Sequence, residues 1–225
     1  MKVSLVAVTQ PAPALQAQGI RTAEDLMVYA ARVSSPQNQL NTDTGERLLR
    51  YCLRNGHWSV FETVSCTMEV ETSLAIATQI LRHRSFTFQQ FSQRYADVSA
   101  MGFEEINPRR QDTTNRQSSH DDLSDDDKAW FANRLWEAKT YSSNAYREAL
   151  ARGIAKESAR FLLPQSTTTR LYMSGSVRSW ATYFMVRREA STQAEHREVA
   201  EAAWGVFAEQ FPVVAKALGE EAVES

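Results

Sequence analysis

The chain reads as an α+β fold, mixed helices around a small and mostly antiparallel sheet. Three observations predict it. Residues 63 to 71 (TVSCTMEVE) alternate strictly, with Val64, Cys66, Met68 and Val70 on one face and Ser65, Thr67, Glu69 and Glu71 on the other, as in a half-buried strand. Most of the remaining chain carries helical periodicity with capping signals. No G-x-G-x-x-G turn, P-loop or H-E-x-x-H occurs anywhere, so a Rossmann dinucleotide fold is not expected. With no repeat or low-complexity linker, residues 1–225 are expected to form one domain.

Taken in order, residues 2 to 9 (KVSLVAVT) suit a strand, broken by Pro11 and Pro13. Thr22 opens the helix TAEDLMVYAARVS, and Asp25 three residues on completes a capping box. A second helix is expected from about Asp43 to Arg54, ending at Asn55-Gly56. HWSVFE reads as a loop before the alternating strand. Thr72 or Ser73 can cap the next helix, SLAIATQILRHR, whose apolar face (Leu74, Ile76, Ala77, Ile80, Leu81) predicts burial. The stretch RHRSFTFQQFSQRY, residues 82 to 95, then starts on that helix's last turn and runs into a loop. Residues 101 to 127 are polar and irregular, and their acid run HDDLSDDDK suits a solvated helix N-terminus with Ser124 and Asp127 spaced as a cap, in preference to a metal site. A long helix covers roughly 125 to 151, another starts near Ile154 and stops at Pro164, TTTRLYMSG reads as a strand, and two further helices span 176 to 210.

Hydrophobic content of 43% and charged content of 23% are ordinary for a soluble protein, and no apolar run is long enough for a bilayer. The N-terminus has only Lys2 as a positive flank, so a first strand is expected there and not a cleaved signal. The expected compartment is the cytoplasm, the host's if the chain is virus-encoded. Cys52 and Cys66 match neither a disulfide framework nor a metal spacing. Arg supplies 20 of the 25 basic residues while the formal net charge is −2. That balance excludes a basic nucleic-acid coat or membrane-surface protein, yet Arg is the side chain that grips phosphate and carboxylate bidentately.

Several of these arginines sit among apolar neighbours: Arg82 and Arg84, Arg94, Arg160 in ESARFLLP, Arg178 in GSVRSW, and Arg187 in YFMVRRE. An Arg in such a place costs desolvation energy unless a carboxylate or an anionic ligand meets it. Glu62, Glu157 and Glu195 are candidate structural partners; six arginines together favour a polyanionic pocket. Ser92 is a poor nucleophile candidate because no base accompanies it, and a hydroxyl ligand is the simpler reading. A single-stranded nucleic-acid module, with Arg and aromatics of 82 to 95 gripping a backbone, is the rival class.

The same residues carry a family resemblance. R-H-R, seven residues and Ser, here Arg82-His83-Arg84 through Ser92, resembles the signature of the flavin-dependent thymidylate synthases. AARVS (30 to 34), GHWSVFE (56 to 62), QDTTNRQSS (111 to 119), SARFLLP (158 to 164) and RSW…VRRE…QAE (178 to 195) follow in the family's order. The resemblance implies a homotetramer that shares its sites between subunits and methylates dUMP to dTMP. It implies FAD as cofactor, methylenetetrahydrofolate as carbon donor and NADPH as reductant, with the flavin hydride, not an enzyme nucleophile, activating the uracil ring. No metal is implied, and the partners are dUMP and folate, with no nucleic acid and no membrane.

Carried over by position, the resemblance puts Gln79, Arg82, Gln90, Phe91, Ser92, Gln93, Arg94, Arg160 and Arg187 at dUMP, with Arg187 catalytic. It puts Ser34, His57, Ser59, Glu62, Arg82, His83, Arg84, Gln90, Ser176, Arg178 and Thr182 at FAD, His57 also near folate. Gln90 stands where the family commonly has Glu, which removes a charge beside dUMP, and Ser176 and Thr182 stand where larger polar residues such as Asn are expected; all three keep hydrogen-bonding capacity.

Overall fold

The computed structural model describes residues 1–99 and 101–224. Strand β1 (Lys2–Val8) and a short turn of helix, α1 (Pro13–Gln16), lead to α2 (Ala23–Ala31). The capping box is complete. Thr22 Oγ1 accepts from the Asp25 N–H at 3.0 Å and Asp25 Oδ2 accepts from the Thr22 N–H at 2.9 Å. Helix α3 (Gly45–Arg54) starts two residues later than expected and stops before Gly56, whose φ of +66° is the left-handed conformation that glycine enters without a Cβ clash. HWSVFE, expected as a loop, winds into a 3-10 turn (Trp58–Glu62) because that turn buries Phe61.

Strand β2 (Ser65–Ser73) keeps the predicted alternation: Cys66, Met68 and Val70 are buried. Helix α4 (Leu74–Ile80) is shorter than expected, and Ser73 makes no side-chain cap. Arg82 and His83 therefore lie beyond the helix, in a turn whose N–H groups reach the Gln79 and Ile80 carbonyls at 3.3 and 3.0 Å. The turn serves Phe86, which is buried edge-on against Trp180 with ring centroids 4.9 Å apart. Its ring fills the space beside Gly175, where a Cβ would come within 2.5 Å of it. Residues expected as a loop then form β3 (Thr87–Gln90). Four residues are too few for alternation to announce a strand, and this one exists because it covers an open sheet edge.

The polar segment expected to be irregular holds a two-stranded hairpin, β4 (Arg110–Gln111) and β5 (Ser119–His120). Helix α5 (Asp125–Ala151) matches its expected span, with Ser124 Oγ accepting from the Asp127 N–H at 3.1 Å and three aspartates in the first turn favoured by the helix dipole. The helix expected from Ile154 to Pro164 is reduced to α6 (Lys156–Ala159) and a 3-10 turn (Arg160–Leu162). Strand β6 (Thr168–Ser176), α7 (Val177–Arg187) and α8 (Ala194–Gln210) follow the sequence reading, and α9 (Pro212–Glu224) adds a C-terminal helix that it did not include.

The main sheet has the order β1-β2-β6-β3 with every neighbouring pair antiparallel. One face is apolar: Cys66, Met68, Val70, Leu171 and Met173 pack with buried residues of α2, α3, α4, α7, α8 and α9 around Trp180. Each large aliphatic or Phe side chain buried there contributes about 1.5–3 kcal/mol. The opposite face is polar, and Arg170 bridges Glu69 and Glu71 at 3.7 and 2.9 Å. A smaller core of Val98, Tyr146, Ala149 and Ala159 joins α5 to α6. The consequence for function is geometric. The C-terminal ends of α4 and α7 and the N-terminal end of α8 meet beside the main core.

Candidate active site

At that meeting point lies a cavity of about 430 Å³ lined by Gln79, Arg82, Gln117, Val186, Arg187, Ser191, Thr192 and Gln193. No carboxylate lines it. Arg187 ends α7, where its charge suits the helix dipole. Its Nε donates to His83 Nε2 at 2.9 Å. An acceptor nitrogen must be unprotonated, and burial, with Arg187 and Arg82 adding repulsion, lowers the His83 pKa to about 4. His83 therefore stays neutral near pH 7 and holds the guanidinium without cancelling its charge.

Behind the cavity the polar groups form a chain. Gln79 Nε2 donates to Gln193 Oε1 at 2.6 Å, and Gln193 Nε2 donates to Glu195 Oε2 at 2.8 Å. Arg109 meets the other Glu195 oxygen at 2.6 Å. His196, fully buried, places Nδ1 3.2 Å from Gln79 Oε1, and burial followed by repulsion from Arg187 and His83 lowers its pKa to about 3.

The other expected nucleotide residues gather elsewhere. Gln90 ends β3 and donates to Thr169 Oγ1 at 3.4 Å. Phe91 packs on the α5–α6 core, and Gln93 is buried with its Nε2 unpaired among the described residues. Ser92 Oγ accepts from the Arg94 N–H at 3.4 Å, and Arg94 pairs with Glu157 of α6 at 3.2 Å. Arg160 lies over the exposed Phe161 ring, 5.6 Å from its centroid. None of these residues lines the cavity of Gln79, Arg82 and Arg187.

Of the expected flavin residues, Ser176 caps α7 by accepting from the Ser179 N–H at 3.2 Å, while Thr182, one turn along from Arg178, donates to the Arg178 carbonyl at 3.1 Å. Arg178 pairs with Glu62 at 3.1 Å, and Glu62 and Ser59 are the exposed residues of the 3-10 turn. Ser179 Oγ donates to the Ser85 carbonyl at 3.0 Å, which fixes the chain next to Arg84 on the first turn of α7. Arg84 is exposed and meets no carboxylate among the described residues. The first turn of an eleven-residue helix, its cap and two guanidiniums form a donor set that fits a diphosphate, so FAD is chemically compatible with these residues. Ser34 lines a separate cavity of about 540 Å³ with Arg32, Arg47 and Tyr51, and the exposed His57 packs edge-on against Tyr51 at 5.6 Å. The described residues contain no cluster suited to a metal.

Sequence reasoning left out of the site Gln117, Val186, Ser191, Thr192 and Gln193 on the cavity wall and Arg109, Glu195 and His196 behind it. Gln193, Glu195 and Gln117 lie inside segments that carry the resemblance, QAE and QDTTNRQSS, which is the one signal that points to them.

Residues 17–213 match the family model described as thymidylate synthase complementing protein. A flavin-dependent thymidylate synthase of Synechocystis is 50% identical, covering 97% of this chain and 99% of that protein. The chain belongs to the flavin-dependent thymidylate synthase family. It is accordingly an enzyme of thymidylate synthesis that methylates dUMP to dTMP in a flavin-dependent reaction. A probable flavin-dependent thymidylate synthase of Paramecium bursaria Chlorella virus 1 is 48% identical over the same shares of the two chains. The fold of this family member also matches a UMP/dUMP methylase, PolB from Streptomyces cacaoi, solved with 5-Br dUMP, at a TM-score of 0.82 and 26% identity, over 97% of this chain and 94% of that one. No helix among the described residues is long and apolar enough to cross a membrane.

Proposed function

We propose that residues 1–225 work as one cytoplasmic domain that binds dUMP in the cavity of Gln79, Arg82 and Arg187. It holds FAD at the start of α7, takes carbon from methylenetetrahydrofolate and draws reducing equivalents from NADPH. The observation that carries the nucleotide assignment is the convergence of two guanidiniums on a cavity without carboxylates. Arg82 is exposed and Arg187 half-buried, and neither meets a carboxylate among the described residues, so a phosphate and a polarised uracil can take both guanidiniums without displacing a counter-charge.

Each residue has a distinct task in this reading. Arg82 takes the phosphate as a bidentate partner. Arg187, steered by neutral His83, sits at the uracil edge and stabilises negative charge developing there, the role fixed donors perform at transition states. Bound flavin supplies the hydride. Ser92 acts as a hydroxyl ligand, since no base bonds to its Oγ among the described residues. Arg84, Arg178, Ser176, Thr182, Ser59 and Glu62 serve the FAD side, and Ser34 and His57 border it, His57 also near folate.

Gln90 to Arg94 and Arg160 stand apart from the cavity in one chain, a division that suits a site completed by a second subunit of a homotetramer. The exposed aromatics Trp130, Trp136, Tyr141 and Phe161 offer the apolar surface that such an assembly would cover. The test is an absorbance spectrum of the purified protein with and without added FAD, followed by dUMP titration of the flavin band and sedimentation for the oligomer. A flavin band that shifts with dUMP in a tetramer is the expected outcome; a colourless protein indifferent to FAD would remove the reading.

A further inference from the structure

We infer that Glu195, which lies outside the nucleotide cavity, is a positioning residue for dUMP. Through Gln193 it fixes which end of the Gln79 amide faces the ligand. The inference rests on the reading that this cavity takes dUMP.

Hydrogen-bond polarity sets the orientation of the Gln79 amide. The two ends of a glutamine amide have nearly the same shape, so only partners decide which end is oxygen. An ionised carboxylate can only accept. Glu195 is 4% exposed. Burial raises its pKa, but its own backbone N–H, Gln193 and Arg109 outweigh burial and bring the pKa below the ordinary value, so the group is ionised at neutral pH. Gln193 must therefore turn its NH2 toward Glu195 and its oxygen toward Gln79. Gln79 must then offer NH2 to Gln193 and oxygen to the Nδ1–H of His196. Each link forces the next.

The end of this chain matters because Gln79 lines the cavity. One N–H of its NH2 goes to Gln193, and the other has no acceptor among the described residues. It is the group available to a ligand oxygen. A flipped amide would show the ligand a lone pair beside Arg82, which repels a phosphate or a uracil carbonyl. His196 is the one link that can follow a flip, since a neutral imidazole exchanges donor and acceptor between its nitrogens, and its Nε2 has no partner among the described residues that would forbid the exchange. The carboxylate is the link that cannot follow. Polarity therefore originates at Glu195.

Glu195→Gln tests this, because it preserves shape and an acceptor for Arg109 while removing the acceptor-only character. With FAD saturating, the dUMP Kd read from the flavin band should rise about tenfold, the loss of one hydrogen bond to a charged ligand. The KM for dUMP should rise with it and kcat at saturating dUMP should hold, a split that a loss of general stability would not give. Gln193→Met, at an exposed position, cuts the same chain one link nearer and should weaken dUMP to a similar extent. The double variant should be no weaker than Gln193→Met alone, since both break one network. If Glu195→Gln does not fold, Gln193→Met carries the test.

Unchanged dUMP affinity in a folded Glu195→Gln, or in Gln193→Met, would overturn the proposal. Arg82→Ala separates the two possible failures. Should Arg82→Ala also leave dUMP binding unchanged, the cavity assignment has failed; should it weaken dUMP while Glu195→Gln does not, only the positioning role has.

Discussion

Two regions of the molecule treat arginine in opposite ways. At the cavity between α4 and α7, Arg82 meets no carboxylate among the described residues and Arg187 leans on a neutral histidine. On the outer side, Arg94 pairs with Glu157 and Arg178 with Glu62, all four side chains about half exposed. Exposed pairs of this kind contribute little to stability, because solvent and salt screen them and both side chains lose entropy. Their use is to keep a guanidinium in place beside an opposite charge. The cavity keeps its charge whole. At the cavity a ligand meets Arg82 and Arg187 with no carboxylate to displace among the described residues, whereas a ligand of Arg94 or Arg178 has to take it from Glu157 or Glu62.

Arg187→Ala should have the largest effect. If this guanidinium stabilises charge in the transition state, kcat should fall by about 10²–10³-fold while FAD stays bound, as read by single-turnover flavin oxidation. A loss confined to KM would demote Arg187 to a binding residue. Arg82→Ala comes next. Removing a charge-assisted phosphate contact should raise the dUMP Kd roughly 10–100-fold with little change in the urea midpoint.

A smaller effect concerns the neutral histidines that back the cavity. His83 and His196 have folded pKa values lowered from 6.5 to about 4 and about 3 by burial and by Arg187. The unfolded chain then binds more protons than the folded one below the ordinary histidine range. Their contribution to stability is complete above about pH 6.5 and is lost as pH falls toward 4 and then 3. Urea midpoints measured between pH 7 and 4 should fall with pH, and His196→Asn should flatten that slope whatever it does to the midpoint at pH 7. An unaltered slope would mean that His196 is not held neutral. Smallest of all, Glu157→Gln should leave stability and dUMP affinity within about threefold of the parent, since it breaks an exposed pair. A large gain in affinity would show that Glu157 competes with the nucleotide for Arg94.

Much of the fold was legible because its signals are local. Alternation marked β2, the Thr22 and Ser124 caps marked the starts of α2 and α5, and Asn55-Gly56 marked the end of α3. The departures at α4 and β3 come from distant packing partners. Helix α4 stops early and β3 forms because Phe86 must reach Trp180 beside Gly175, and because β6 leaves an edge open. None of those partners lies within a window that a periodicity can see.

The candidate site divides along the same line. Ordered motifs along the chain were enough to place it in its family; of the nine residues that the resemblance puts at dUMP, the fold brings Gln79, Arg82 and Arg187 to one cavity. The sequence also named Glu62, Glu157 and Glu195 as partners for arginines, and all three are paired. Which arginine each carboxylate takes, and which two line the cavity, depends on packing between distant segments. The same packing lets His83 hold Arg187 across 104 residues and Glu195 reach Gln79 through Gln193. Caps and alternation act over a few residues and so leave a trace in composition. A hydrogen bond between distant segments depends on the packing of everything between them, and it leaves none.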